Sequence, residues 1–115
     1  MLKLPKKLAI IFFLFLFSNN SFCQKIFAVE TSSKSHLKVF VTKYQSQADL
    51  HVYKVDYASQ SEGNKGYWFF VEYESQADKK IFYCDYASQA DLKIFFVDYK
   101  SKAKWKKNKK KHLLY

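Results

Sequence analysis

A unit of thirteen residues recurs along most of this chain. Tyr73-Glu-Ser-Gln-Ala-Asp78 returns as Tyr86-Ala-Ser-Gln-Ala-Asp91, and thirteen residues later as Tyr99-Lys-Ser-Lys-Ala103. Upstream, Tyr44-Gln-Ser-Gln-Ala-Asp49 and Tyr57-Ala-Ser-Gln60 open the same unit. A fixed period implies one small structural unit packed against copies of itself. It constrains architecture strongly and chemistry hardly at all.

Between the turns lie six runs rich in β-branched and aromatic residues, at 25–30, 37–43, 50–56, 67–72, 79–85 and 92–98. Such composition over so short a run predicts strands. The runs align as columns. The first column is Ile26, Val39, Val52, Trp68, Ile81 and Ile94, and the second is Phe27, Phe40, Tyr53, Phe69, Phe82 and Phe95. The third is mixed (Ala28, Val41, Lys54, Phe70, Tyr83, Phe96), and the fourth is compact (Val29, Thr42, Val55, Val71, Cys84, Val97). A charged fifth column and a Tyr column follow. Side chains alternate faces along a strand. The second, fourth and Tyr columns are therefore expected to form the core. The uniformly apolar first column also demands cover near the strand starts.

The linkers are equally regular. Ser46 and Asp49, Ser75 and Asp78, and Ser88 and Asp91 have the spacing of a capping box, so one tight helical turn between strands is expected. After residue 23 the chain holds no Pro, and its two glycines, Gly63 and Gly66, sit in one linker three residues longer than the rest. Two-residue glycine hairpins are thus not the general connection. The long linker, 59–66, is expected to be a flexible surface loop. The fold class expected is all-β: a compact stack of about seven short strands joined by tight Ser-Gln-Ala-Asp turns. A small β-solenoid or sandwich is the alternative.

Residues 1–23 have the form of a secretory signal peptide, with Lys3, Lys6 and Lys7 ahead of an apolar run from Leu8 to Phe17. The segment resembles the leaders of exported proteins of Gram-negative bacteria, so a periplasmic or extracellular location is expected. Cleavage after Cys23 leaves a single β-repeat domain, 24–115. A lipidated Cys23 is the competing reading. Only Cys84 then remains, and its place in the compact column predicts a buried small hydrophobe in place of an activated thiolate.

Charge is unevenly spread. Residues 24–98 hold nine Lys against ten acids, while 99–115 hold eight Lys and no acid. Those eight, Lys100, Lys102, Lys104, Lys106, Lys107, Lys109, Lys110 and Lys111, are the candidate contact with an anionic envelope polymer, membrane surface or nucleic acid. A solvated tail is the plainer reading of the same run. The chain has no Arg, which argues against sequence-specific nucleic-acid recognition. Trp105 and the segment Leu113-Leu114-Tyr115 bracket the lysines and are expected to dock on the body, as a short helix or terminal strand.

Other constellations carry little chemistry. The Asp residues recur in register, but the glycines that calcium-binding β-repeats use are missing, so backbone capping and pairing with Lys79, Lys80 and Lys93 are expected. His36, His51 and His112 have no metal-ligand spacing, and His51 aligns with surface positions. Serines sit at turns with no histidine at fixed spacing. Tyr53, Trp68 and Tyr83 are the aromatics expected to touch solvent. No cofactor, metal or catalytic residue is indicated, and the chain is expected to be a non-enzymatic, monomeric structural or interaction protein.

The unit Tyr-x-Ser-Gln-Ala-Asp-x-x-Ile/Val-Phe/Tyr-x-Val-Asp, with the closing Ser101-Lys-Ala-Lys-Trp105 and His112-Leu-Leu-Tyr115, resembles an uncharacterised bacterial family of short β-repeat proteins. The resemblance covers about residues 24–115. It implies a backbone tied in a seven-crossing torus knot, and it carries no activity. The first unit departs from the pattern: Thr31 stands for Tyr, and Ser33-Lys34-Ser35 for Ser-Gln-Ala.

Overall fold

The computed structural model describes residues 23–115, so the signal peptide expected over residues 1–23 lies, except for Cys23, outside the described residues. Seven strands follow one another: β1 (Lys25–Ala28), β2 (Leu37–Val41), β3 (Leu50–Lys54), β4 (Tyr67–Phe70), β5 (Lys79–Tyr83), β6 (Leu92–Phe96) and the short β7 (Lys104–Trp105). Each of the first six starts where the column pattern places it and ends about two residues earlier. Between them run single 3-10 turns such as Gln45–Gln47, Glu74–Gln76 and Ala87–Gln89.

The sheet order is β4-β1-β5-β2-β6-β3, and β3 also pairs with β4, so six strands close into a barrel. All six are parallel, and β7 adds antiparallel to the start of β3. Parallel neighbours cannot be joined by tight hairpins. The chain instead travels around the barrel, through β1, β2 and β3 on a first winding and β4, β5 and β6 on a second. The strands of one winding lie between those of the other. Closure abolishes the exposed edges that an open sheet would present.

A belt of six hydrogen bonds marks the closure. Each compact-column N–H donates to the first-column carbonyl of the next strand round. Val29 donates to Ile81 (2.8 Å), Cys84 to Val39 (2.9 Å) and Thr42 to Ile94 (2.8 Å). Val97 donates to Val52 (2.8 Å), Val55 to Trp68 (2.9 Å) and Val71 to Ile26 (2.9 Å), which returns the belt to its origin. The register steps evenly as well. Ile81 lies opposite Leu37, two residues before its repeat equivalent Val39, and Ile94 lies opposite Leu50, two before Val52. An even displacement keeps the same side chains inward at every step, and the accumulated stagger is what lets a sheet close.

The core is the first column. Ile26, Val39, Val52, Trp68, Ile81 and Ile94 are fully buried, joined by Leu37, Leu50, Leu92 and Leu114. This corrects the assignment of the inward face for the aromatic second column and the Tyr column, while the compact fourth column is buried as expected at Val29, Thr42, Val55 and Val97. Phe27, Phe40, Phe69, Phe82 and Phe95 are half-buried on the outside, and the column tyrosines Tyr44, Tyr57, Tyr73, Tyr86 and Tyr99 are 63–68% exposed. Trp68, expected to meet solvent, is buried, whereas Tyr83 is exposed. The physical reason is the closed ring. Its narrow interior is filled by aliphatic groups together with the single large ring of Trp68, while a Tyr hydroxyl remains hydrated at the corners. At the strand ends the third column carries Lys54, whose Nζ lies 4.6 Å from the Phe96 ring centroid and 5.2 Å from that of Phe70.

The Ser-to-Asp capping box does not form; only the Ala58–Ser61 turn shows a capping-box bond, Gln60 Oε1 accepting the Tyr57 N–H at 3.1 Å. Each turn begins at a Tyr or at Thr31, its Ser lies within the turn, and the Asp reaches across to another strand. Asp78 donates its N–H to the Lys25 carbonyl (2.7 Å) and accepts the Lys25 N–H at Oδ2 (3.1 Å). Asp91 clasps Lys38 and Asp49 clasps Lys93 in the same two-bond manner. In the divergent first unit His36 takes the place of Asp. It donates its N–H to the Lys80 carbonyl (2.8 Å) and accepts the Lys80 N–H at Nδ1 (3.0 Å).

The long linker is not a loose loop. Ser61 is buried, and its carbonyl accepts the Gln24 N–H at 2.9 Å. Asn64 accepts the Trp105 indole N–H and donates Nδ2–H to the Lys111 carbonyl at 2.9 Å. Gly66 has φ +93, and a Cβ there would stand 2.5 Å from the His51 carbonyl oxygen, so only glycine fits. This linker joins the two windings, and both ends of the domain fasten onto it.

Candidate functional site

The eight lysines proposed as a polyanion contact are divided by the fold into groups with different work. β7 lies antiparallel to β3, with Lys104 opposite His51 and Trp105 opposite Leu50. A 3-10 segment, Asn108–Leu114, then folds back and inserts Leu114 into the core. Docking of the terminal segment is therefore as expected for Trp105 and Leu114, while Tyr115 is exposed.

Lys107 and Lys110 serve the interior. Both reach Asp49, whose side chain is 1% exposed: Lys110 Nζ at 3.2 Å from Oδ2 and Lys107 Nζ at 3.6 Å from Oδ1. The Asp49 carbonyl also accepts the N–H groups of Lys106 (2.8 Å) and Lys107 (3.1 Å). Burial alone would raise the Asp49 carboxyl. The Lys93 N–H and Lys110 hydrogen bonds, then the charges of Lys110 and Lys107, outweigh burial and hold it below its ordinary value. Sequence reasoning treated Asp49 as one of three equal turn residues. Its special role depends on β7 passing beside β3, and no signal within the repeat announces that.

Two further lysines lie over aromatic rings, Lys100 at 5.0 Å from the Tyr67 centroid and Lys102 at 5.1 Å from that of Tyr99. Lys104, Lys106 and Lys109 are exposed, and Lys111 is half-buried. Among the described residues no carboxylate lies within ion-pair distance of these four.

A groove of about 460 Å³ runs between the Gln45–Gln47 turn and the Lys100–Lys106 stretch. Lys102, Lys104 and Lys106 line one side, with Ser101; Gln45, Ser46 and His51 line the other. His51, expected at the surface, is only 5% exposed. Its Nε2 is 3.0 Å from the Gln45 carbonyl, and its ring meets Phe95 edge-on. It therefore fastens the turn that forms one wall. The groove contains no carboxylate, which gives it an uncompensated positive potential.

The remaining candidates are structural. Cys84 is half-buried rather than fully enclosed, and its thiol donates to the Val39 carbonyl at 3.4 Å. The clasping carboxylates of Asp78, Asp91 and Asp49 accept backbone N–H groups. Lys80 pairs with Glu74 at 3.1 Å, not with a turn Asp. His112 Nδ1 lies 2.9 Å from the Lys109 carbonyl within its own turn.

No curated protein and no solved structure matches the chain. The model of one family does, over residues 23–106, which takes in all seven strands and the groove lysines up to Lys106. Two interleaved windings closed by one hydrogen-bond belt, and a repeat unit spanning the same residues, agree with that match: the chain belongs to the 7(1) septoil knot domain family, whose function is unknown.

Proposed function

We propose that this is an exported, non-enzymatic interaction protein whose knotted barrel is a rigid scaffold holding a basic face against an anionic envelope polymer. The observation that carries the reading is the sorting of the lysines. Lys107 and Lys110 neutralise Asp49. Lys104 and Lys106 stand in a groove without a carboxylate, where no structural duty accounts for them. An unneutralised cluster on a fixed support attracts polyanions through point charges, independent of their sequence. Rigidity adds to affinity, because the charges are arranged before binding and little order is lost on contact.

Retention on an immobilised anionic polymer such as heparin tests this. The protein is expected to elute at clearly higher salt than a variant in which Lys102, Lys104, Lys106, Lys109 and Lys111 are all replaced by Gln. Unchanged elution of that variant overturns the reading.

A further inference from the structure

Resting on that reading, we propose that the groove between the Gln45–Gln47 turn and β7 is the binding site itself, and that it takes the phosphoryl group of a phosphorylated glycan. Three observations lead there. The first is the type of cation. Lys102, Lys104 and Lys106 supply compact ammonium charges from one wall. A planar carboxylate is matched best by the bidentate fork of Arg, which this chain does not contain. A tetrahedral phosphoryl group presents oxygens in several directions and is served well by separate point charges.

The second is the rest of the lining. Ser46 and Ser101 bring hydroxyls, and Gln45 brings a side-chain amide, so neutral donors and acceptors stand beside the charges. Sugar hydroxyls need such partners. Among the described residues no Val, Leu, Ile or Met lines the groove, so the acyl chains of a phospholipid meet no hydrophobic residue there. Among the described residues no Phe, Tyr or Trp lines it either, and the His51 ring is only 5% exposed, which leaves little of the stacking platform on which single-stranded nucleic acids are held.

The third is the fixed geometry of the walls. The His51–Lys104 register sets β7 against β3, and His51 Nε2 meets the Gln45 carbonyl at 3.0 Å. Asp49, adjacent in sequence to the Gln45–Ala48 corner, accepts the backbone N–H groups of Lys106 and Lys107 at its carbonyl. Both walls are therefore fastened to the same short stretch, Asp49 to His51 at the entry to β3, and the Lys104 and Lys106 ammonium groups hang from anchored backbone.

The experiment is calorimetric titration of the full mature chain with a phosphorylated mannan. Polygalacturonate, phosphatidylglycerol vesicles and single-stranded DNA serve as comparison ligands. Two double variants are used, Lys104→Gln with Lys106→Gln, and Lys109→Gln with Lys111→Gln. The thermal midpoint of each is measured to establish that the fold is kept. The groove variant is expected to bind phosphomannan about tenfold more weakly, the loss of one to two charge-assisted contacts. The Lys109/Lys111 variant is expected to stay within about twofold, as neither residue lines the groove. Loss confined to the Lys109/Lys111 variant overturns the groove and leaves the polyanion reading standing. Equal affinity for polygalacturonate overturns the phosphoryl preference, and tighter binding to vesicles or DNA overturns the glycan. Failure to bind any of the four ligands overturns both the groove and the reading on which it rests.

Discussion

Asp49 is the residue on which the chain's end depends. It is the one turn carboxylate among the described residues that is wholly buried, and it joins three separate segments: β6 through Lys93, the stretch that follows β7 through the Lys106 and Lys107 amides, and the terminal turn through Lys110. An unpaired buried carboxylate would be strongly unfavourable, so the two ammonium groups and the Lys93 N–H are conditions for its presence there. Asp49→Asn keeps an acceptor for the Lys93 amide and removes the charge that Lys107 and Lys110 face. Since both lysines retain contact with water, the loss is expected to be about 2–3 kcal/mol by urea denaturation at pH 7. The pH dependence has a definite sign. The folded-state pKa of Asp49 lies below its ordinary value of 3.8, so the unfolded state binds more protons and this contribution is complete above that value. It declines as pH falls through the folded-state pKa. The stability difference between the natural protein and the Asn variant is therefore expected to be constant from about pH 5 to 7 and to shrink in more acidic solution. A difference that grows on acidification would contradict the ion-pair assignment.

At the scale of the element, the strand and its corner form the unit that repeats, and the clasp is its long-range bond. His36 is the one member of the set that is not an Asp, and it holds Lys80 with a neutral acceptor where the others use a carboxylate. Hydrogen bonds to a charged acceptor are stronger than those to a neutral one. His36→Asp restores the unit's own residue and is expected to stabilise the protein by about 0.5–1 kcal/mol, read as a raised midpoint in urea at pH 7. Destabilisation would mean that the imidazole makes a contact the carboxylate cannot. The elements also show how far the sequence could be read. Strand starts at Lys25, Leu37, Leu50, Tyr67, Lys79 and Leu92 were all legible, because composition and a thirteen-residue period mark them together. The inward face was misjudged. Alternation separates two faces but does not say which is inside when Ile26 and Phe27 are both apolar. The leucines at Leu37, Leu50 and Leu92, two residues before column one, belong to that column's face and were the neglected clue. The clasps and the groove were not legible, because Asp91 and Lys38, or Gln45 and Lys104, meet only through the order in which the windings interleave.

At the scale of the whole molecule, the same interleaving pairs nearly every strand with partners distant along the chain. Leu37 pairs with Ile81 and Ile26 with Lys79, and only β3 and β4 are both adjacent in space and consecutive in sequence. The two ends also meet: Gln24 Nε2–H donates to the Leu114 carbonyl at 3.0 Å, and Leu114 fills the core beside the first column. No part of the barrel can close its hydrogen-bond belt until both windings are present, since each bond of the belt joins one winding to the other. The entropy of forming these long loops has to be met before any belt bond compensates for it. A chain of this length with mostly local contacts folds in microseconds to milliseconds, whereas non-local β-topologies take milliseconds to seconds. Threading a terminus between existing strands is a further constraint, since an end already fastened to the 59–66 linker would have to be released and passed through. Refolding from urea is therefore expected to take seconds or longer in a stopped-flow or manual-mixing fluorescence trace of the buried Trp68. Residues 23–115 contain no proline whose isomerisation could supply a slow phase of that kind. Complete recovery of native Trp68 fluorescence within milliseconds would show that the windings assemble without the topological delay that their interleaving implies.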